Sequence, residues 1–332
     1  MIQGHGDDAY QFGGDIHINF SSNIYGHADL SALQEFLRSQ IGLITAYPEP
    51  EPYSLEQAIA EHRNIPAECV VVTNGATEAI YLIAQMLSRE GYTRCFIPQP
   101  TFSEYADACR MFGLQPVAQA GEAIPAWLCN PNNPTGQVWQ TPSCGGVGGA
   151  PLIIDQSYED YTLQPLMTPA EAIARGNVVL IYSMTKTYAV PGLRIGYMIA
   201  APALAPKLRT LLRPWSVNAL AVAAGRWLIG HNGKAVADLG AYLAEAQRLN
   251  GLVNEIEGIE ALPTATNFML CRLQNRTAAE LKNYLARRHG ILIRDASNFA
   301  GLDHCYFRIA AQAPKENETL VEALRQFCRA SL

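Results

Sequence analysis

Val178-Val179-Leu180-Ile181-Tyr182-Ser183-Met184-Thr185-Lys186-Thr187-Tyr188-Ala189-Val190-Pro191-Gly192-Leu193-Arg194 is the stretch on which the fold turns. Its first four residues form an unbroken apolar run, the pattern of a strand buried on both faces of a parallel sheet. Lys186 follows closely and so falls at the carboxyl end of that strand, where open α/β sheets bind their ligands. A second run of this kind, Leu152-Ile153-Ile154-Asp155, ends on a carboxylate. From about residue 54 to 200 strand-like and helix-like segments alternate, which predicts a mostly parallel sheet covered by helices. The expected strands are 69–73, 95–98, 126–129, 152–155, 178–182 and 195–200, with a helix over 77–87. Ser54 and Gln57 make a capping-box pattern that predicts a helix start ahead of Leu55, Ala58 and Ile59.

Beyond Pro214 the pattern changes. Helices are expected over 219–229 and 235–256, then strands over 267–272, 291–295 and 306–310, with helices over 278–289 and 314–328. No internal repeat is visible. The 332 residues suffice for one large domain and a smaller one. A hydrophobic content of 49% with 16% charged residues is that of an ordinary globular protein. The net charge of −6 and the lack of a Lys/Arg-rich run argue against a general nucleic-acid surface. None of the eight cysteines forms a C-x-x-C pair, so neither a zinc site nor a disulfide framework is expected, and reduced, structural thiols are. The start lacks a basic region followed by an apolar one, and no apolar run reaches the roughly 18 to 20 residues that cross a membrane. A soluble, cytoplasmic protein without membrane partners is expected.

An amine and a carboxylate at sheet ends are the pair that pyridoxal 5′-phosphate (PLP) chemistry requires. The amine of Lys186 would form the Schiff base, and Asp155 would keep the pyridine nitrogen protonated so that the ring takes up electrons. Asn74-Gly75-Ala76-Thr77 joins a strand to a helix; small residues there let backbone approach a phosphate, favoured by the free N–H groups of the helix start. A plain turn is the alternative for these four residues taken alone. Arg308 is a charge inside an apolar strand pattern and implies a paired anion, either substrate or structural. Tyr182 and Lys186 also make the Tyr-x-x-x-Lys spacing of short-chain dehydrogenases. The early glycine-rich turn that such enzymes need is missing.

The run Asn130-Pro131-Asn132-Asn133-Pro134-Thr135-Gly136, with Asp155, Tyr158 and Lys186, resembles fold-type I PLP enzymes. Within them the chain is similar to the branch that holds histidinol-phosphate aminotransferases and L-threonine-O-3-phosphate decarboxylases. The features nearest the decarboxylases of cobalamin synthesis are Pro214-Trp215-Ser216-Val217-Asn218-Ala219-Leu220, Ile291-Leu292-Ile293-Arg294 with residues 298–303, and His5-Gly6. This resemblance implies an α/β, PLP-dependent transferase fold of type I: a large domain with a mostly parallel sheet between helices, and a smaller α+β domain. The implied division is an N-terminal arm over 1–45 that contributes to the small domain and to the active-site cover, a large PLP-binding domain over 46–220 and a C-terminal small domain over 221–332. Family members usually carry a helix between the Asn-Pro-Thr-Gly run and the aspartate. The Gly-rich 141–151 segment reads as a shortened replacement.

The resemblance also implies roles. Lys186, Asp155 and Tyr158 would be catalytic. Gly75, Ala76, Thr77, Ser183 and Arg194 would hold the cofactor phosphate, Phe102 would stack on the ring, and Asn133 with Tyr158 would bond its O3′ oxygen. Tyr47 would reach the cofactor phosphate of a neighbouring subunit, which makes a homodimer with shared sites. Arg308 would bind the α-carboxylate, Arg294 the phosphate of a phosphorylated amino-acid substrate, and His5 and Asn23 would close over it. The implied reaction is decarboxylation of L-threonine O-3-phosphate to (R)-1-amino-2-propanol phosphate. The alternative is transamination of histidinol phosphate with 2-oxoglutarate or glutamate. No metal is expected.

Overall fold

The computed structural model describes residues 7–121, 123–140, 149–231 and 233–329. In chain order the strands are β1 Ile18–Asn19, β2 Val70–Thr73, β3 Arg94–Phe96, β4 Gln115–Val117, β5 Ala126–Cys129, β6 Leu152–Asp155, β7 Val178–Ser183, β8 Gly196–Ala200, β9 Ile259–Ala261, β10 Phe268–Leu273, β11 Ile291–Leu292, β12 Arg294–Asp295 and β13 Tyr306–Ala310. Among the described residues, seven of them form one sheet in the order β2-β8-β7-β6-β5-β3-β4. The sheet is parallel apart from β8, which runs antiparallel to both of its neighbours.

Continuous apolar runs make this sheet because alternate side chains feed a core on each face. Val70, Val72, Leu152, Ile154, Val178 and Leu180 pack on one side with the helices Tyr53–Arg63 and Ala219–His231. Val71, Ile153, Val179 and Ile181 pack on the other with the helix Gly75–Arg89. The helix Tyr53–Arg63 starts without the Ser54–Gln57 box: Ser54 lies inside the first turn and its N–H donates to Glu49 Oε2 (3.0 Å). True capping boxes form at Thr168–Glu171 and Thr277–Glu280, where a carboxylate stands at the third helical position.

A second, antiparallel sheet has the order β12-β13-β10-β9. The helices Leu239–Asn254, Ala278–His289 and Pro314–Arg329 build a third core with it. The expected 291–295 strand divides at Ile293. β11 pairs in parallel with β1, whereas β12 pairs with β13, so the two halves serve different sheets. The expected 235–256 helix starts later, at Leu239, because the Asp238 side chain accepts from Ala241 N–H and caps it there. The helix Ser31–Ser39 is not anticipated by the sequence reading. The Gly-rich 141–151 segment falls mostly outside the described residues. No helix among those described is long and apolar enough to cross a membrane.

Candidate active site

The parallel register brings Cys129, Asp155 and Ile181 side by side at the carboxyl edge of the main sheet. Just beyond that edge lie Asn133, Tyr158 and Lys186, and β2 delivers the start of the helix Gly75–Arg89 to the same place. The second sheet approaches from across the gap with Arg294 and Arg308 paired on β12 and β13. Ser21 and Ser22 close one side. The result is a cavity of about 280 Å³ walled by residues from every part of the chain.

Lys186 Nζ donates to the Ser22 carbonyl (2.8 Å) and stands 5.7 Å from the centre of the Tyr158 ring. Burial first, then the positive charges of Arg308 and Arg194, bring its amine down to about 7. Asp155 accepts from the Tyr105 hydroxyl (2.7 Å) and from Ser157 N–H (2.9 Å). Both donors are neutral, and burial raises the carboxyl's pKa. A protonated ring nitrogen is the kind of partner that would hold this carboxylate ionised. Burial also pushes the Tyr158 hydroxyl up to about 12. That hydroxyl accepts from Asn23 Nδ2 (3.3 Å), and Asn23 Oδ1 finds no partner among the described residues.

The residues present fit PLP, and the phosphate end shows it most directly. Gly75 begins its helix at φ +78°, and a Cβ there would stand 2.7 Å from Arg194 Nη2. Only glycine therefore allows the guanidinium to approach the helix start, which leaves N–H donors and a positive charge together. Ala76, Thr77 and Ser183 line the cavity beside it, and Phe102 forms part of the wall. Gly196 on β8 is as tightly used, since a Cβ there would come within 2.4 Å of Ala76 N.

The two arginines supply a different kind of evidence. Arg308 is buried and donates to Asn133 Oδ1 and to the Ser21 carbonyl, and its Nε has no partner among the described residues. Arg294 is buried as well; it donates to Asn298 Oδ1 (2.8 Å) and lies over the Phe299 ring. All these acceptors are neutral. Burial pulls both guanidiniums down to about 10, so they remain charged at neutral pH. Two buried positive charges bonded to neutral oxygens suit a ligand with two anionic groups.

Tyr47 stands apart from this cavity. It is 85% exposed and rests against Trp215, with ring centres 5.3 Å apart. His5 lies outside the described residues. Several residues to which the sequence reading gave no role belong to the site: Tyr105, which holds Asp155; the Ser21 and Ser22 carbonyls; and, from the 298–303 run, Asn298 and Phe299 around Arg294. Tyr105 carried only a weak signal, its place in the same run as Phe102: the helix starts at Glu104, so Phe102 lies ahead of it, and the two rings meet edge-on, 5.7 Å apart. Backbone carbonyls carry none.

Residues 15–327 match the aminotransferase class I and II family. Among solved structures, L-threonine-O-3-phosphate decarboxylase from Porphyromonas gingivalis is 34% identical with a TM-score of 0.88, covering 94% of this chain and 100% of that one. Threonine-phosphate decarboxylase of Salmonella typhimurium is 29% identical over 94% of this chain and 91% of its own length. Histidinol-phosphate aminotransferase of Symbiobacterium thermophilum is 30% identical over 87% of this chain and 84% of its own. The chain belongs to the aminotransferase class I and II family of fold-type I, PLP-dependent enzymes.

Proposed function

We propose that the protein removes the carboxyl group of L-threonine O-3-phosphate, giving (R)-1-amino-2-propanol phosphate and CO₂. The observation that carries this reading is the pair of buried, charged guanidiniums, Arg294 and Arg308, opposite Lys186, which among the described residues donate to neutral acceptors. A phosphate and an α-carboxylate are two anions of the right kind, and Arg binds each of them bidentately. The names of the Porphyromonas and Salmonella relatives support the same substrate.

In this reading Lys186 holds the cofactor and later delivers a proton to Cα. Bound PLP supplies the electron sink for the pair released when a bond at Cα breaks. Asp155 would serve the ring nitrogen as its counter-charge, and Asn133 and Tyr158 would serve the O3′ oxygen. Arg308 and Arg294 fix the two ends of the substrate, and with them which Cα bond stands perpendicular to the ring. Tyr47 completes the site of a second copy. The exposed aromatic pair Tyr47 and Trp215, with Ile41 and Ile44 exposed a few residues before Tyr47, supports a homodimer, because exposed apolar groups of this kind mark an interface.

Transamination is the second reading, supported by the histidinol-phosphate aminotransferase relative. The two separate in one experiment. PLP-loaded protein is given L-threonine O-3-phosphate without any keto acid, and CO₂ and amine are measured. Decarboxylation needs no second substrate and continues; transamination stops after one turnover. Arg308→Ala and Arg294→Ala are expected to cost about 2 to 5 kcal/mol in kcat/KM, each leaving a buried anion unpaired. Absence of CO₂, with joint consumption of histidinol phosphate and 2-oxoglutarate, would replace this reading with the second.

A further inference from the structure

Lys186 stands on a helix of only four residues, Met184–Thr187. Tyr188 N–H closes it onto the Met184 carbonyl (3.0 Å), and so short a helix gains little from its own hydrogen bonding. Its position must come from outside. The turn after Tyr158 supplies two ties: the Tyr161 hydroxyl donates to the Lys186 carbonyl (2.9 Å), and Thr187 Oγ1 donates to Asp160 Oδ2 (2.7 Å). The segment leading to the C-terminal unit supplies two more. Ala235 N–H donates to the Thr187 carbonyl (2.8 Å), and Lys234 Nζ donates to Asp160 Oδ1 (2.6 Å).

Asp160 is therefore the group that touches both supports of the lysine turn. Its two oxygens are divided, one to the turn and one to the segment ahead of the helix Leu239–Asn254. It faces away from the cavity, into a small polar space with His62, Arg63 and Glu159, and contacts neither Asn133 nor the arginines. We propose that Asp160 is a positioning residue: through the Thr187 hydroxyl it fixes the backbone from which Lys186 reaches into the site, and through Lys234 it holds that turn against the C-terminal unit. This rests on the reading that Lys186 carries the cofactor.

The energetics separate this role from plain stabilisation. Lys234 is about half exposed, so its pairing with Asp160 adds little to the stability of the fold. The hydroxyl–carboxylate bond to Thr187 is charge-assisted and short, and it bears on the placement of a neighbouring catalytic group. Misplacing a reacting group by about 1 Å costs on the order of 10²-fold in rate, so even a partial shift is measurable.

The test compares Asp160→Ala, Thr187→Val, Thr187→Ser and the Asp160→Ala/Thr187→Val double variant, each loaded with PLP. Three quantities are read: the pH midpoint of the bound cofactor's absorbance change, and kcat and KM for L-threonine O-3-phosphate. The expected result is a kcat lowered by at least about 10-fold in Asp160→Ala and in Thr187→Val, with KM within about 2-fold and a displaced midpoint. The double variant should be no worse than either single one, and Thr187→Ser should restore wild-type behaviour. Wild-type kcat and midpoint in folded Asp160→Ala and Thr187→Val, additive losses, or a Thr187→Ser as poor as Thr187→Val would each overturn the proposal. If Asp160→Ala does not fold, the contrast between Thr187→Val and Thr187→Ser decides alone. A wild-type protein that takes up no PLP on Lys186 overturns the reading of the site itself, and is seen before any variant is made.

Discussion

The lowered pKa of Lys186 gives the most direct physical test of the cavity. An amine with a pKa of about 7 is half neutral at neutral pH, whereas one at the ordinary 10.5 is neutral in about one molecule in 3,000. The neutral form is the nucleophile, so the structure implies an advantage on the order of 10³ in condensing with an aldehyde. The assay adds saturating PLP to cofactor-free protein and follows the absorbance change by stopped flow between about pH 6 and about pH 9. The limiting rate should rise through the lower part of this range and level off above pH 7 to 8. Arg308→Met removes one of the positive charges that depress the amine, so its inflection should move to higher pH. A wild-type rate still climbing about tenfold per pH unit at pH 9 would refute the argument, because it would mean that the amine keeps its ordinary pKa.

Two further outcomes follow from the geometry. Asp155→Asn keeps the shape and removes the charge, so turnover should fall by at least about 10²-fold with PLP still bound, measured by steady-state kinetics at confirmed cofactor occupancy. Mixing inactive Lys186→Ala protein with Tyr47→Ala protein should restore activity if Tyr47 serves the partner's site, since a mixed dimer then holds one intact site; failure of refolded mixtures to regain activity would place Tyr47 outside the machinery.

Much of this arrangement was legible in the chain because the chemistry sits where apolar runs stop. Asp155 and Lys186 could be placed at a sheet edge by reading the end of 152–155 and 178–182, and the sheet register then sets Asp155 beside Ile181, just ahead of the turn that carries Lys186. Arg308 announced itself as a charge in an apolar strand. Less legible were features set by long-range contacts. The break at Ile293 arises because two different partners, β1 and β13, claim successive residues, and nothing local signals it. The Ser21 and Ser22 carbonyls that receive Arg308 and Lys186 are invisible for another reason: every residue has a carbonyl. Ser54 misled because a capping box needs its Ser or Thr at the N-cap, and here Pro52 holds that place while Ser54 lies inside the first turn.

The reversed strand β8 has a consequence for how the protein is made. Among the described residues β2 pairs with β8 alone, with Val70 opposite Ile199, although the strands are far apart in the chain. On the ribosome, β2 and the helix Gly75–Arg89 emerge long before β8 exists. Loop closure over that distance must be completed before their contacts are rewarded. Val70-Val71-Val72 is an apolar segment of high β propensity, which while unpaired is an edge open to other chains. The helix Tyr53–Arg63, made just ahead of it and packed on the same face, is the part of the nascent chain available to cover that edge's apolar side chains until the late strand arrives.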